Sequence, residues 1–262
     1  MNTFNEKDEG IPFTARLMAY YRAQESKKDN PLFIDPFAER LAGDLTLYFK
    51  KDESFVINDY TIIRSYYIDN FILPYWCKTY PHSQIVILGA GLDTRAYRFN
   101  PFQKCNNIIY EVDLQLINQY KEDLLKNEKP LCRLSRVSAD LSNPDWASKL
   151  ILSGFSSEIP VLWIMEGLVY YIEKELIITL LKNIANMSIK NSQIFLDICN
   201  PVCAEVSFGP FFRYFKWGLN KSEVSSFFTT LGWEVSSFNA EDYDQGRFVG
   251  TGLMLFIHGK RT

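Results

Sequence analysis

The sequence predicts a doubly wound α/β fold, in which a seven-stranded and mostly parallel sheet follows a set of N-terminal helices. From about residue 81 onward, short apolar runs of strand type alternate with helical segments, as expected for parallel strands joined by crossover helices. Only a short gap, from Phe238 to Gly252, separates the last two strand-like runs. This gap is too short for a crossover helix with its loops, so the last strand is predicted to be antiparallel.

The length and composition favour a single domain. The chain has 262 residues, of which 47% are hydrophobic, enough to bury a large core. We find no internal repeat and no linker rich in glycine and serine. The prediction is therefore one domain over residues 1–262, with an N-terminal helical cap at 1–80 and the α/β core at 81–262.

Charge and cysteine content exclude several classes of function. With 28 Lys+Arg against 31 Asp+Glu, the net charge is -3, and no basic run is long enough to follow a nucleic-acid backbone. The polar, acidic N-terminus differs from a signal peptide, and no apolar run reaches the ~18 residues of a membrane span. We expect a soluble, cytoplasmic protein without a nucleic-acid or membrane partner. Five cysteines are predicted to be buried free thiols, with no metal site.

The segment before the first strand contains three predicted helices. "TARLMAYYRAQESKK" has good helix formers and a basic last turn, which predicts a helix from about residue 14 to 28. "NPLFIDPFAERLAG" predicts a turn and a short helix that ends at Gly43. A longer helix is predicted from a cap at Asn58 or Asp59 through "YTIIRSYYIDNFILPYWCKTY", with a kink or an end around Pro74.

Seven strands are predicted after Pro81, with helical segments between them. The strands are predicted at 84–89, 107–113, 133–140, 160–166, 192–199, 233–238 and 252–259. The clearest helical segments are 114–127, 173–187 and 221–232.

Charged residues and a glycine turn follow the first four strands, where an open α/β sheet binds its ligand. The first strand leads into Gly89-Ala90-Gly91 and the second contains Glu111 and ends at Asp113; Asp140 and Glu166 end the third and fourth. Asp113 lies 22 residues after Gly91, near the ~20-residue offset at which a carboxylate meets ribose hydroxyls. A nucleotide-type cofactor is therefore expected at this edge.

The charge pattern favours S-adenosylmethionine over a dinucleotide. Thr94 occupies the position of the third glycine in the dinucleotide fingerprint, and a pyrophosphate prefers amide donors to acids. A rim of Asp113, Asp140 and Glu166 suits a sulfonium and an ammonium instead. Asp140 could accept from the adenine amino group, with the backbone at Leu141 completing the adenine edge. Simpler interpretations stay open at this point: a tight turn at the glycines, helix capping by Glu111 and Asp113, and a turn former at Glu166.

Several stretches resemble the leucine carboxyl methyltransferase family over about residues 12–190. They are "NPLFIDPFAERLAG", "IIRSYYIDNFI", "ILGAGLDTRAYRF", "EVDLQ", "SADLSNPDWASKL" and "WIMEGLVYYI". The later "FKWGLNKSEVSSFFTTLGWEV" is similar to the bacterial branch named for the tetracenomycin polyketide O-methyltransferase. The resemblance implies a class I methyltransferase (Rossmann-like) sheet and S-adenosyl-L-methionine as the cofactor.

The resemblance also implies which residues bind the cofactor. Arg64 would bind the methionine carboxylate through its guanidinium group, and Arg16 is a weaker candidate for a second basic contact. The full set of expected cofactor-binding residues is Arg64, Gly89, Gly91, Asp113, Asp140, Leu141 and Glu166.

No catalytic residue can be assigned from the sequence. The chain has two histidines, His82 and His258, and both are predicted at the end of the sheet opposite the cofactor. We therefore expect an acceptor that is ionised or easily ionised, such as a carboxylate, an enol or an acidic phenol. Candidates for the acceptor pocket are Arg22, Tyr20, Tyr21 and Tyr170.

The expected activity is O-methylation of a small molecule such as a polyketide-like metabolite. The family's eukaryotic members methylate the C-terminal carboxylate of a phosphatase subunit, but this short chain shows no long insertion to dock a protein tail. The aromatic segment 208–218, within an insertion at about 200–220, is predicted to form a substrate lid. Three alternatives are protein C-terminal carboxyl methylation, an NAD(P)-dependent oxidoreductase and a cofactor-binding relative without catalysis.

Overall fold

A computed structural model describes residues 13–45, 59–205, 214–250 and 252–262. These residues contain a seven-stranded sheet with the order β3-β2-β1-β4-β5-β7-β6. The strands are β1 Gln84–Leu88, β2 Ile108–Asp113, β3 Arg133–Ser138, β4 Val161–Met165, β5 Gln193–Cys199, β6 Trp233–Asn239 and β7 Met254–Arg261. All seven predicted strands are present, with ends shifted by one to a few residues.

The sheet has the predicted mixture of directions. β1 pairs in parallel with β2 and β4, β2 with β3, and β4 with β5. β7 inserts between β5 and β6 and runs antiparallel to both. This is the class I methyltransferase arrangement, and the reversal between β1 and β4 opens the sheet edge at the glycine turn.

The central strands form the core of the protein. Every residue of β1, β4 and β5 is buried, as expected for parallel strands covered by helices on both faces. The helices that pack around them are α1 Phe13–Ser26, α2 Ala38–Ala42, α3 Tyr60–Tyr67, α4 Leu73–Thr79, α5 Arg95–Arg98, α6 Phe102–Cys105, α7 Gln115–Leu125, α8 Trp146–Leu152, α9 Lys174–Asn186, α10 Val202–Glu205 and α11 Lys221–Thr229.

The N-terminal helices lie close to their predicted positions. α2 ends at Gly43, whose φ of 61° is in the left-handed region that glycine tolerates. The predicted helix around Pro74 does not end there. A π-helical turn at Ile68–Ile72 joins α3 to α4 without a break, and Pro74 lies just after this irregular turn, as expected because proline cannot donate the regular backbone hydrogen bond inside a helix.

The five cysteines are free thiols, as predicted, and four of them are buried. The fold brings Cys77 and Cys105 together, with their Sγ atoms 2.9 Å apart. They are 28 residues apart in the sequence, so this contact was not predicted. Within the described part of the chain, no helix is long and apolar enough to cross a membrane.

Candidate active site

A cavity of about 720 Å³ opens at the carboxyl ends of β1, β2 and β4. One side, which we call the sheet-edge wall, is formed by Gly89, Gly91, Asp113 and Glu166. The facing side, which we call the helical wall, comes from α1 and α3. Its residues are Thr14, Ala15, Met18, Tyr21 and Arg22 of α1 with Tyr60, Thr61, Arg64 and Ser65 of α3. Their spacing of three and four residues places each set on one face of its helix.

The glycine turn is fixed to the end of β2 by Asp113. The Gly91 N–H donates to Asp113 Oδ2 at 2.6 Å, and the Leu114 N–H donates to Oδ1 at 2.7 Å. Gly89 and Gly91 have φ values of 65° and 50°, which favour glycine. A Cβ on Gly89 would also lie 2.8 Å from Leu168 Cδ1. Both glycines are therefore required by the backbone path at the cavity.

Asp113 lines the cavity, and its carboxylate is partly buried. Burial raises the pKa of this side chain, whereas the two backbone N–H groups that it accepts from act in the opposite direction. Beside it, Leu114 lines the cavity and remains 46% exposed. The end of β2 therefore offers a carboxylate next to an apolar surface.

Glu166 is bound by two arginines. Its Oε1 accepts from Arg64 Nε at 3.1 Å and from Ser65 Oγ at 2.8 Å, and its Oε2 accepts from Arg95 Nη1 at 2.6 Å. Burial alone would raise the pKa of Glu166, but Arg95 and Arg64 together lower it. Its negative charge is thus offset within the protein, and the rim is less acidic than the sequence suggested.

Arg64 is a buried residue that lines the cavity. It is 5% exposed, and its Nη1 donates to Asp197 Oδ2 at 2.8 Å and to Tyr170 Oη at 3.1 Å. A Cβ on Gly167 would lie 2.9 Å from this guanidinium group, so glycine after Glu166 makes room for Arg64. Nη2 makes no hydrogen bond to the described residues, which leaves it available to a ligand.

Asp197 is a buried residue beneath the cavity lining that the sequence reasoning missed. It lies on β5 with no solvent exposure. Its Oδ1 accepts from the Gly167 N–H at 2.6 Å, and its Oδ2 accepts from Tyr60 Oη at 2.6 Å as well as from Arg64. The available signal was an acid inside the apolar strand "SQIFLDIC", because a buried carboxylate needs a cationic or hydrogen-bonding partner.

The arginines after the glycine turn bind the acids around the short helix α5. The Arg95 N–H donates to Asp93 Oδ1 at 2.7 Å, and the Arg95 guanidinium contacts Asp93, Asp69 and Glu166. Arg98 donates to the other oxygen of Asp69 at 2.6 Å. Burial alone would lower the pKa of Arg95, but the surrounding carboxylates hold it well above its usual value. Arg95 thus links Glu166 to Asp69 and Asp93 through ion pairs.

Asp140 and Leu141 are not among the described residues that line the cavity. Asp140 is exposed, and its Oδ1 accepts from the Ser142 N–H and hydroxyl. Their loop is nevertheless held beside β2, because the Ala139 N–H donates to the Asp113 carbonyl at 2.9 Å. Their contact with the cofactor stays a prediction. Arg16 also lies away from the lining and donates to the Ala42 and Asp44 carbonyls.

Three of the four acceptor-pocket candidates line the cavity: Arg22, Tyr21 and Tyr170. Tyr20 is not part of the described lining. Of the predicted lid, residues 206–213 lie outside the described residues. Phe215 lines the cavity, and its ring centroid is 4.2 Å from that of Tyr170.

Neither histidine lines the cavity. A ring nitrogen of His82 is 3.1 Å from the Asn106 side chain before β2, and His258 Nε2 is 2.9 Å from Gln193 Oε1 at the start of β5. Burial lowers the pKa of His258. Both histidines lie away from the cavity lining, at the predicted end of the sheet.

The sheet-edge wall, together with Arg64 of the helical wall, fits S-adenosylmethionine. Asp113 offers a carboxylate for ribose hydroxyls, Leu114 offers an apolar surface for a flat base, and Arg64 Nη2 is free for a carboxylate. A Cβ at Gly91 would meet nothing closer than 4.0 Å, so there is open space above the turn. The site therefore has the groups that a nucleoside with an amino-acid tail requires.

Comparison with known proteins gives the same class. Residues 15–185 match the model of the leucine carboxyl methyltransferase family. A protein of Saccharopolyspora erythraea named "Putative S-adenosyl-L-methionine-dependent methyltransferase" is 31% identical over 198 residues, which cover 72% of this chain and 67% of that protein. The chain belongs to the leucine carboxyl methyltransferase family. It is an S-adenosylmethionine-dependent methyltransferase, and S-adenosylmethionine is its cofactor.

Solved structures share the fold. A DUF574 family protein from Streptomyces avermitilis aligns with a TM-score of 0.64 at 14% identity, covering 95% of this chain and 97% of the other. A structure titled as a methyltransferase of Thermobifida fusca aligns with a TM-score of 0.62 at 16% identity, covering 98% and 97%. At these identities the likeness concerns the fold alone.

Proposed function

We propose that this methyltransferase acts on a carboxylate or acidic hydroxyl oxygen of a small molecule. When bound, S-adenosylmethionine supplies an electrophilic methyl group on its sulfonium. The observation that carries the proposal is the state of the ionisable groups around the cavity. Among the described lining residues, each carboxylate already accepts hydrogen bonds from the protein and each tyrosine with a shifted pKa is harder to ionise.

The lining carboxylates are poorly suited to take a proton from the acceptor. Glu166 has a lowered pKa and is bound by two arginines. Asp93 accepts from the backbone and side chain of Arg95, and Asp113 accepts from two backbone N–H groups. A general base must lie within hydrogen-bond reach of the acceptor oxygen, whereas Asp113, whose pKa burial raises, is expected to bind the ribose of the cofactor. An acceptor that arrives ionised removes this requirement.

The tyrosines of the cavity favour the same kind of acceptor. Burial and, to a smaller extent, Asp197 raise the pKa values of Tyr60 and Tyr170 well above the usual value. Burial and Tyr20 raise the pKa of Tyr21 to about 12. These hydroxyls stay protonated at neutral pH, so they can donate hydrogen bonds but cannot act as bases. Orientation and exclusion of water then account for most of the catalysis.

Methylation of a protein C-terminus is the second candidate, supported by the family name. A protein tail would have to enter a cavity whose described mouth includes the exposed Phe248. We favour a small molecule because the helical wall and Phe215 surround the space with side chains. A C-terminal peptide with a free carboxylate serves as the comparison substrate.

The test uses S-adenosylmethionine labelled on its methyl group. The protein is incubated with extract of the host cell and with a panel of carboxylic acids, phenols and C-terminal peptides. We expect label in a small molecule. Mild alkali distinguishes the acceptor oxygen, since a methyl ester releases labelled methanol and an aryl methyl ether keeps the label. Transfer only to peptides, or to no compound, would contradict the proposal.

The dependence of the rate on pH provides a second check. We expect no rate-controlling group near pKa 6.5 in the protein. If such a group is found with a true substrate and disappears in His82→Gln or His258→Gln, the acceptor does not arrive ionised and a histidine base is present.

A further inference from the structure

We propose that the hydroxyl groups of Tyr21 and Thr61 bind the methyl acceptor, and that this acceptor is an aromatic compound with a second oxygen besides the methylated one. The inference rests on the proposed function and specifies the substrate class at the same site. The starting observation is that two residues lining the cavity have buried hydroxyl groups without a hydrogen-bond partner.

Six buried side-chain polar atoms in the described residues have no hydrogen-bond partner. Two of them, Tyr21 Oη and Thr61 Oγ1, belong to residues that line the cavity. The other four belong to Trp76, Glu111, Asp145 and Trp233. Buried hydroxyls are costly when unpaired. The two hydroxyl oxygens of the lining residues have almost no accessible surface, so an acceptor supplies the missing partner as the side chains beside them adjust to it.

Both hydroxyls belong to the helical wall, which faces the cofactor side. Tyr21 lies on α1 and is 3% exposed, and Thr61 lies on α3, three residues before Arg64. Apart from Arg64, the lining residues expected to bind the cofactor belong to the sheet-edge wall. An acceptor between the two walls would present one oxygen to the sulfonium and another to these hydroxyls.

The remaining surface suits a flat apolar ring. The described lining includes six aromatic side chains: Tyr21, Tyr60, Tyr170, Tyr171, Phe215 and Phe248. Met18 and Met254 add flexible apolar groups that adapt to a ring. The lining arginine of α1 is engaged as well, since Arg22 donates to Asp35 and to the Leu92 carbonyl. Neutral donors and aromatic faces, more than free cations, therefore define the acceptor side.

The test measures binding to the complex of the protein with S-adenosylhomocysteine, and so does not depend on turnover. The probes are benzoate, salicylate and 1-hydroxy-2-naphthoate, with octanoate as the straight-chain comparison. We expect the hydroxylated aromatic acids to bind more tightly than octanoate. Tyr21→Phe and Thr61→Val should each weaken this binding about threefold to tenfold, the range for one neutral hydrogen bond.

Matched variants separate binding from folding. Tyr20→Phe removes the neighbouring hydroxyl that is not part of the lining and should leave probe affinity unchanged. Thr61→Ser keeps the hydroxyl and should retain most of the affinity. Binding of S-adenosylhomocysteine should be the same in all four variants, which shows that they are folded.

Three results would overturn the inference: no binding of any aromatic probe, tighter binding of octanoate, or equal probe affinity in wild type, Tyr21→Phe and Thr61→Val. Hydroxyl-dependent binding without methyl transfer to any compound would instead contradict the proposed function and leave the inference in place.

Discussion

The two walls of the cavity differ in how completely they are bonded before any ligand arrives. On the sheet-edge wall, Asp113 and Glu166 already accept hydrogen bonds from the backbone or from arginines. On the helical wall, Tyr21 and Thr61 have hydroxyls without partners among the described residues. Other residues of the helical wall, such as Tyr60 and Arg64, are bonded to Asp197 on β5. The difference is therefore confined to these two hydroxyls, which we propose bind the acceptor.

The largest expected effect comes from breaking the buried ion pairs that join Arg64 to Glu166 and Asp197. Arg64→Ala leaves Glu166 and Asp197 without a shared cation, and Asp197 is fully buried. We expect the free energy of unfolding to fall by about 3–5 kcal/mol, the scale for removing one partner of a buried ion pair. Urea denaturation measures this change, and calorimetry should show weakened S-adenosylhomocysteine binding.

Arg40→Ala is the control for this substitution, because its salt bridge to Glu128 is on the surface. It should cost no more than about 1 kcal/mol. Equal losses in the two variants would mean that the network around Arg64 is not preorganised as described.

The second-largest effect is expected from breaking the ion pair between Glu25 at the end of α1 and Arg247, which precedes the cavity-lining residue Phe248. Arg247, next to Phe248, donates two hydrogen bonds to Glu25 at the end of α1, at 2.5 and 2.8 Å. Burial alone would raise the pKa of Glu25, but bonds from Arg247, the Leu32 N–H and Lys28 lower it to about 2. Arg247→Gln should reduce stability at pH 7 by on the order of 2 kcal/mol.

The pH dependence gives the sign of this effect. Because the folded state lowers the pKa of Glu25 from 4.5, the folded protein binds fewer protons than the unfolded chain between about pH 4.5 and 2. The stabilisation is complete above this window and is lost as the pH falls through it. The stability difference between wild type and Arg247→Gln should therefore shrink in acid, and Lys28→Gln should show a smaller difference at pH 7. A difference that is constant down to pH 2 would exclude Glu25 as the cause.

The third prediction sharpens the assignment of the cofactor to the sheet-edge wall. Asp113→Ala removes the carboxylate that orients the Gly91 turn, and should weaken S-adenosylhomocysteine binding by at least ~1.5 kcal/mol, the scale for a charged hydrogen bond. Asp113→Asn, which keeps an acceptor oxygen, should lie between this variant and wild type. Asp123→Ala on the exposed side of α7 is the control. Affinity like that of wild type in Asp113→Ala would place the cofactor elsewhere.

The smallest effect decides whether Asp140 belongs to the cofactor site. If its carboxylate accepts from the adenine amino group, Asp140→Ala should weaken S-adenosylhomocysteine binding by about 1 kcal/mol. Ser142→Ala removes only the local hydroxyl bond to Oδ1 and should have less effect. Equal affinity in Asp140→Ala and wild type, measured by calorimetry, would show that this residue only shapes its own loop.

The sequence by itself determined the elements whose signals are local. Apolar runs between helical segments predicted the seven strands, and the short gap before β7 predicted its antiparallel direction. The offset from Gly91 predicted Asp113 as a cofactor-binding residue beside the turn. Periodicity, loop length and backbone conformation act over a few tens of residues, so they can be recognised from the order of residues alone. Arg64 required the family resemblance, because the surface of α3 that faces the site cannot be recognised from its own charge pattern.

Only the tertiary structure decided the partners of the buried charges. Asp197 meets Arg64 from a position 133 residues away, and Cys77 meets Cys105 across two helices. Burial then changed the chemistry, since Glu166 is offset by arginines and Tyr21 stays protonated. Such pairings depend on which faces of distant elements pack together, and the energy of a buried charge depends on that packing. The sequence therefore determines the glycine turn, whereas the proposed acceptor side depends on the packing of α1 and α3 over the sheet.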